Sequence, residues 1–312
     1  FDPEKIDRPH WVMAVRELFR QQGLNPKKVK TICTGISGAS ASIKQITTME
    51  MPSDELEAAM TFEARKHIPM DGTDAVIDFQ ILGSNQREVD KIDVGLVACT
   101  KGVLTSHMDL LKECGLKPGV VDTYPIAMSN AFTFIKTMPD DGLVVILDIG
   151  AVSSSLVVYG SGEQFFTRDL PIGGHHFVKE LSDRKEISYT EAQDVLYKDG
   201  LAASISNSTD APLTSVGIAE RTIYDNLVED LRRSLRFYAK QTGQSFFLKI
   251  FLSGGGAETP GLTEFVSSKL NIECDLFDPF ENVNGGENIS VNNKSQYTIA
   301  LGLGIRGGMA NE

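Results

Sequence analysis

Along the chain, apolar positions alternate between a spacing of three to four and short continuous runs. This is the pattern of helices interleaved with strands, and it predicts an α/β protein. Residues 10–22 place Val12, Val15, Leu18 and Phe19 at helical spacing, Gly23 stops that helix, and Val29 to Cys33 reads as a strand. Ser42 to Met49 reads as another. Ser53 is the expected N-cap of a helix with Asp54 and Glu55 in its first turn and Leu56, Ala59 and Met60 on one face, closed by Arg65, Lys66 and His67 before Pro69. Ala75 to Leu82 and Lys91 to Cys99 supply two further strands, so residues 43–99 form a strand-helix-strand-strand unit.

Helix then returns from about Val103 to Cys114, followed by a short strand from Gly119 to Asp122 and a helix after Pro125 running towards Lys136. The linker Met138 to Gly142 breaks the pattern. Beyond it, Leu143 to Ile149, Ser153 to Tyr159 and Gln164 to Arg168 predict a three-stranded meander, with helices at about 174–182 and 190–198. The polar stretch from Gly200 to Ser215 reads as a mobile loop. A long helix over about 216–241 carries the stripe Leu227, Leu231, Leu235 and Tyr238 and leaves Glu229, Arg232 and Arg233 on another side. A strand from Lys249 to Leu252, a helix capped by Thr259 with Pro260 in its first turn, and a strand ending near Phe277 follow. After an Asn- and Gly-rich loop at 281–296, a last helix runs from Thr298 to about Arg306.

The 312 residues carry 30 Lys and Arg against 42 Asp and Glu, a net charge of −12. That balance opposes approach to a phosphate backbone, so nucleic acid is not an expected partner. No stretch approaches the ~20 apolar residues of a bilayer span. Cys33, Cys99, Cys114 and Cys274 are too scattered for a metal knuckle and read as reduced core thiols. The histidines, at 10, 67, 107, 175 and 176, show no ligand spacing and stand near no nucleophile elbow.

Two segments could hold an anion. In Asp148-Ile149-Gly150-Ala151-Val152-Ser153-Ser154-Ser155, a turn between two apolar strands, Gly150 permits close approach, the serines add donors, and Asp148 could hold Mg²⁺ through water; a plain hairpin turn explains it about equally well. Ser253-Gly254-Gly255-Gly256 follows a strand and precedes a helix start, and three glycines let a ligand lie against backbone. Gly302-Leu303-Gly304-Ile305-Arg306-Gly307 matches the dinucleotide fingerprint in letters only, since that fingerprint needs a strand before it, a helix after it and an acidic residue about 20 positions on, and the sequence given ends at Glu312; its small residues at 300, 302 and 304 suit a helix packed closely against another element or a ligand.

Taken in order, the phrases "FEARKHIP", "DFQIL", "LDIGAVSSSLVVY", "RDLPIGG", "LRRSLRFY", "LSGGGAETPGL" and "YTIALGLGIRG" resemble the PilM family of type IV pilus assembly, itself similar to FtsA and part of the actin, sugar kinase and heat-shock ATPase superfamily. The resemblance spans about residues 10–307. It implies a two-domain actin-like ATPase fold: a first domain at 1–140 with an inserted subdomain at about 43–99, a second at 141–296, and a terminal helix at 297–312 returning to the first. It assigns Asp148, Gly150, Ser153, Ser154 and Ser155 to the phosphates and Mg²⁺ of ATP or ADP, and Glu229, Arg232, Arg233, Gly254, Gly255 and Gly256 to the nucleoside. The family's opening hairpin, the other half of the phosphate clamp, has no counterpart in this sequence, so at most weak ATPase activity is expected.

The function implied is a cytoplasmic scaffold of the pilus inner-membrane complex, with no membrane anchor of its own, that binds the N-terminal cytoplasmic tail of PilN in a groove beside residues 43–99. Other inner-membrane components are implied as further partners. A small-molecule kinase of the same superfamily is the enzymatic alternative, with Asp122 as its candidate base, against a capping role for that carboxylate. An FtsA-like division protein is a third reading, and the short polar tail from Gly307 lacks the amphipathic helix that FtsA carries.

Overall fold

The computed structural model describes residues 2–38, 41–67, 75–85, 87–205 and 221–309. Helix α1 (Arg8–Gln21) is capped by Asp7 and packs along α3 (Lys101–Glu113). The expected stripe Val12, Val15, Leu18 and Phe19 does not enter a core: among the described residues α1 packs chiefly on α3 rather than on a sheet, and none of its residues is buried. Strand β1 is Cys33–Ile36, not Val29–Cys33. Its limits follow from its partner: β5 (Val120–Thr123) runs parallel to it in the register Cys33↔Val120 to Ile36↔Thr123, and the apolar residues before Cys33 have no strand opposite them.

The unit read from residues 43–99 is a three-stranded antiparallel sheet in the order β2 (Ala41–Met49), β4 (Lys91–Thr100), β3 (Ala75–Ser84). Helix α2 (Ser53–His67) closes one face through Leu56, Met60 and Ala64 against Val94, Leu96 and Ala98. Ser53 is not the cap: Leu56 N already donates to Pro52 O at 2.9 Å, so the helix starts one residue earlier and takes Ser53 inside. Pro69 lies outside the described residues.

Beyond α4 (Tyr124–Ile135) stands a five-stranded sheet in the order β10-β9-β6-β7-β8, made of β6 (Leu143–Ile149), β7 (Ser154–Tyr159), β8 (Phe166–Leu170), β9 (Phe247–Ser253) and β10 (Glu273–Leu276). The meander is antiparallel, while β9 and β10 run parallel to β6. One face packs on α5 (Gly174–Lys185), α6 (Tyr189–Asp199), α7 (Leu201–Ile205), α8 (Ile223–Thr242) and α9 (Leu262–Leu270). The other face, with Val144, Ile146 and Val157, meets Met128, Ala131 and Phe132 of α4.

Three expectations in this half are corrected. The stretch expected as a loop from Gly200 begins with α7, and the rest of that loop lies outside the described residues. The long helix starts at Ile223, where Thr222 and Asp225 form a capping box; residues 216–220 lie outside the described ones. Helix α9 begins at Leu262 rather than at Thr259-Pro260. The Pro260 carbonyl is engaged by Leu201 N at 3.0 Å, and Thr259 Oγ1 donates back to Gly256 O, so the chain stays in a turn until Gly261 at φ 83°.

The last helix, α10 (Thr298–Met309), lies on α4. Of the small residues at 300, 302 and 304, Gly302 alone is buried and makes the close approach: a Cβ there would stand 1.8 Å from the Ala127 carbonyl oxygen. Ala300 and Gly304 are exposed.

Candidate functional site

The parallel strands β6 and β9 end side by side, and β7 starts from the same end of the sheet. Their pairing sets Asp148 opposite Ser155 on one side and beside Ser253 on the other, while Ser155 faces Asp169 of β8. Ser253 Oγ donates to Asp148 Oδ1 at 2.9 Å, and Ser155 Oγ donates to Asp169 Oδ1 at 2.9 Å. The four residues form a transverse polar row on the face shared with α4, because side chains in register across neighbouring strands point to the same side. Asp148 is buried at 8% exposure. Loss of water pushes its carboxyl up to about 6, with the Ser253 hydroxyl pulling partly the other way. Burial also raises Asp169, again offset in part by its serine.

Next to this row, three glycine-bearing turns interlock. Gly150 N donates to Ser153 O at 3.1 Å and closes the β6–β7 turn; Gly174 N reaches Gly150 O and His175 N reaches Ala151 O, at 2.9 and 2.8 Å, so the start of α5 is seated on that turn. Gly256 N donates to Ile149 O at 2.9 Å, which ties in the turn after β9. A Cβ on Gly254, at φ +86°, would lie 2.5 Å from Ile149 O. Gly255 faces open space, as do the exposed residues Ala151 to Ser153.

The expected site residues therefore divide. Asp148, Gly150, Ser153, Gly254, Gly255 and Gly256 come together at one end of the sheet. Ser154 and Ser155 are there too but engaged: Ser154 Oγ, fully buried, donates to Ile172 O at 2.6 Å, and Ser155 holds Asp169. Glu229 and Arg232 pair with each other at 2.6 Å, and Arg232 also reaches Lys269 O near the C-terminal end of α9. Arg233 is exposed and paired with Asp230.

Sequence reading missed Ser253 as a partner of Asp148, and it missed Tyr124. The Tyr124 ring rests on Gly35, where a Cβ would stand 2.9 Å from it, and Asp148 is close enough for its charge to help burial raise the tyrosine hydroxyl. Parity along β6 and β9 could have found Ser253; nothing local signals Tyr124. Asp122 faces another way. Its Oδ1 accepts from Thr123 N at 2.7 Å, Arg306 of α10 lies 3.8 Å away, and Thr123 rather than Asp122 is the N-cap of α4.

A meander continued by parallel strands, with a glycine-lined site at their carboxyl ends, a facing helical layer and a small inserted sheet, defines an actin-like protein. Within that class the chain belongs to the family of type IV pilus assembly protein PilM, which it matches over residues 6–308. A solved "PilM-PilN type IV pilus biogenesis complex" superposes with a TM-score of 0.76 at 23% identity, over 95% of this chain and 84% of that one. Among curated proteins, cell division protein FtsA of Staphylococcus epidermidis is 22% identical over 205 residues, 61% of this chain and 43% of the relative. FtsA of Neisseria meningitidis serogroup B is 22% identical over 231 residues, 68% and 55%. The chain thus spans about half the length of these FtsA relatives. Among the described residues no helix is long and apolar enough to cross a membrane.

Proposed function

We propose that this chain is a nucleotide-binding adaptor of type IV pilus assembly, with the domains bounded at 1–140, 141–296 and 297–312. The observation that carries nucleotide binding is the convergence of Asp148 and three glycine turns at the carboxyl ends of β6 and β9, where open-sheet α/β folds take their ligands. In this reading the β6–β7 turn with Gly150 and Ser153 receives the phosphates of ATP or ADP, Ser154 and Ser155 brace it, and Gly254 to Gly256 lie against the nucleoside. Glu229, Arg232 and Arg233 close the nucleoside end.

Mg²⁺ fits this site in one way. The described residues contain no cluster of three or more metal-ligating side chains, so the ion would be held by phosphates and water, with Asp148 as outer carboxylate. Titration with ATP and Mg²⁺ tests the assignment: Asp148→Ala should weaken magnesium-dependent binding and Arg233→Ala should weaken the nucleoside end, each by roughly 1–3 kcal/mol. Wild-type affinity in both variants removes the site list.

The partner in this reading is the cytoplasmic tail of PilN, bound in the groove between the first domain and the inserted sheet, with other inner-membrane components reached through it. The chain would then work on the cytoplasmic side of the inner membrane, held there by its partner. Family membership and the likeness to a PilM-PilN complex support this. Calorimetry of the intact chain with synthetic tails tests it, and no heat at high micromolar protein with an intact circular dichroism spectrum rejects it.

A further inference from the structure

Where the three sheets approach one another there is a cleft of about 160 Å³, walled by the end of β1, the start of β2 from Ala41 to Lys44, Thr123 and Pro125 at the head of α4, and Thr167 to Asp169 of β8. Its rim is made of strand edges. Strands β2 and β8 are each terminal in their sheets, so among the described residues their outer N–H and C=O groups have no strand partner. Such edges accept an extended chain by adding a strand.

One carboxylate, Asp169, lines the cleft together with Lys44 and Arg168. Asp169 lines it with one oxygen held by Ser155, and the neighbouring arginine does not neutralise it. Arg168 turns its guanidinium to α8, where it donates to Ser234 Oγ at 3.3 Å and stacks over the rings of Phe166 and Phe237 at 5.7 and 5.1 Å. Lys44 stands exposed at the rim. At the inner end, Thr123 Oγ1 is buried, 3% exposed for the residue, and has no hydrogen-bond partner among the described residues, although Thr123 is the N-cap of α4 and could have bonded its own helix. A buried hydroxyl left unpaired in a cleft that a carboxylate also lines is a place for an incoming donor.

The geometry points to this cleft as the subsite for a lysine or arginine side chain carried on an extended peptide, with Asp169 reading the cation and Thr123 Oγ1 accepting a second hydrogen bond. The inference rests on the adaptor reading and deepens it: the peptide is the cytoplasmic tail of the membrane partner. Cytoplasmic segments close to a membrane span carry an excess of Lys and Arg. A chain of net charge −12 favours a basic partner over an acidic one.

The experiment titrates the intact chain by calorimetry with a PilN tail and with the same tail in which every Lys and Arg is replaced by Gln, against wild type and Asp169→Asn. Asparagine keeps the shape and an acceptor for Ser155 while removing the charge. The charged tail is expected to bind wild type about tenfold more tightly than Asp169→Asn. The Gln tail should bind both alike, and added salt should weaken only the pairing of wild type with the charged tail. Equal binding of the charged tail by wild type and Asp169→Asn overturns the cation subsite and leaves the adaptor reading standing, whereas no binding of the charged tail to wild type overturns both. Should Asp169→Asn lose its fold by circular dichroism, the salt dependence of the two tails on wild type decides: identical dependence overturns the subsite.

Discussion

Gly173 lies so close to Gly150 that a β-carbon on Gly173 would stand 2.7 Å from the Gly150 carbonyl oxygen. Its other nearest atoms, Ser153 N and Ala151 C at 2.7 and 2.8 Å, are also backbone, so no side-chain rotation can relieve the clash. Gly173→Ala should therefore push the β6–β7 turn off the start of α5 and cost about 1–3 kcal/mol. Urea unfolding measures it, and the same variant should lose nucleotide affinity more than it loses stability. Unchanged values for both would mean that the junction yields freely.

Asp148 gives a pH dependence with a definite sign. Its carboxyl rises from 3.8 to about 6 in the fold, so the native state holds that proton more tightly than the unfolded chain does. The stabilisation from this group is complete below about pH 4 and is lost as pH rises through about 6, a change on the order of 3 kcal/mol. Asp148→Asn cannot ionise. Denaturant midpoints from pH 4 to 8 should show the variant gaining on wild type as pH rises; parallel curves would contradict the burial argument.

The same shift predicts proton release. A magnesium nucleotide set beside Asp148 favours its ionised form, so binding near pH 6 should expel a fraction of a proton. Calorimetry in two buffers of different ionisation enthalpy detects this, and Asp148→Asn should abolish it.

Gly302 predicts an effect far from the site. A β-carbon there meets the Ala127 carbonyl oxygen at 1.8 Å and its carbon at 2.5 Å. Gly302→Ala should lift α10 from α4 and destabilise by about 1–3 kcal/mol, read as a lower thermal midpoint, whereas Gly304→Ala, with nothing near it, should be close to neutral or stabilising.

Arg87 and Glu163 tie the β3–β4 turn to the β7–β8 turn at 3.0 Å, with the arginine 63% exposed. An ion pair this wet is expected to contribute under about 1 kcal/mol, so Arg87→Ala should leave the unfolding midpoint nearly unchanged in 0.15 M salt. A drop beyond that would show that the inserted sheet is held to its neighbour by this pair.

Much of this protein is settled by local pattern. The continuous apolar run from Leu143 to Ile149 can be little but a buried strand, and all seven residues are buried; the stripe Leu227, Leu231, Leu235 and Tyr238 is buried along α8 in the same way. The order of turn residues carried the actin-like fold, because Gly150 and Gly254 to Gly256 supply turn geometry through their own backbones. Where the outcome depended on a neighbour, local pattern failed. Leu18 and Phe19 repeat like a core face but lie on a helix none of whose residues is buried, Val29 has no strand opposite it among the described residues, and Thr259 gives its hydroxyl to Gly256 instead of a helix. The polar row is the clearest case. Ser253 and Asp148 are 105 residues apart and meet through the register of β6 on β9, and Ser155 reaches Asp169 only through the pairing of β7 with β8. Periodicity reports which face of its own strand a side chain takes; which residue stands beside it is decided when the strands pair, and a shift of one residue would have turned the whole row to the other face of the sheet.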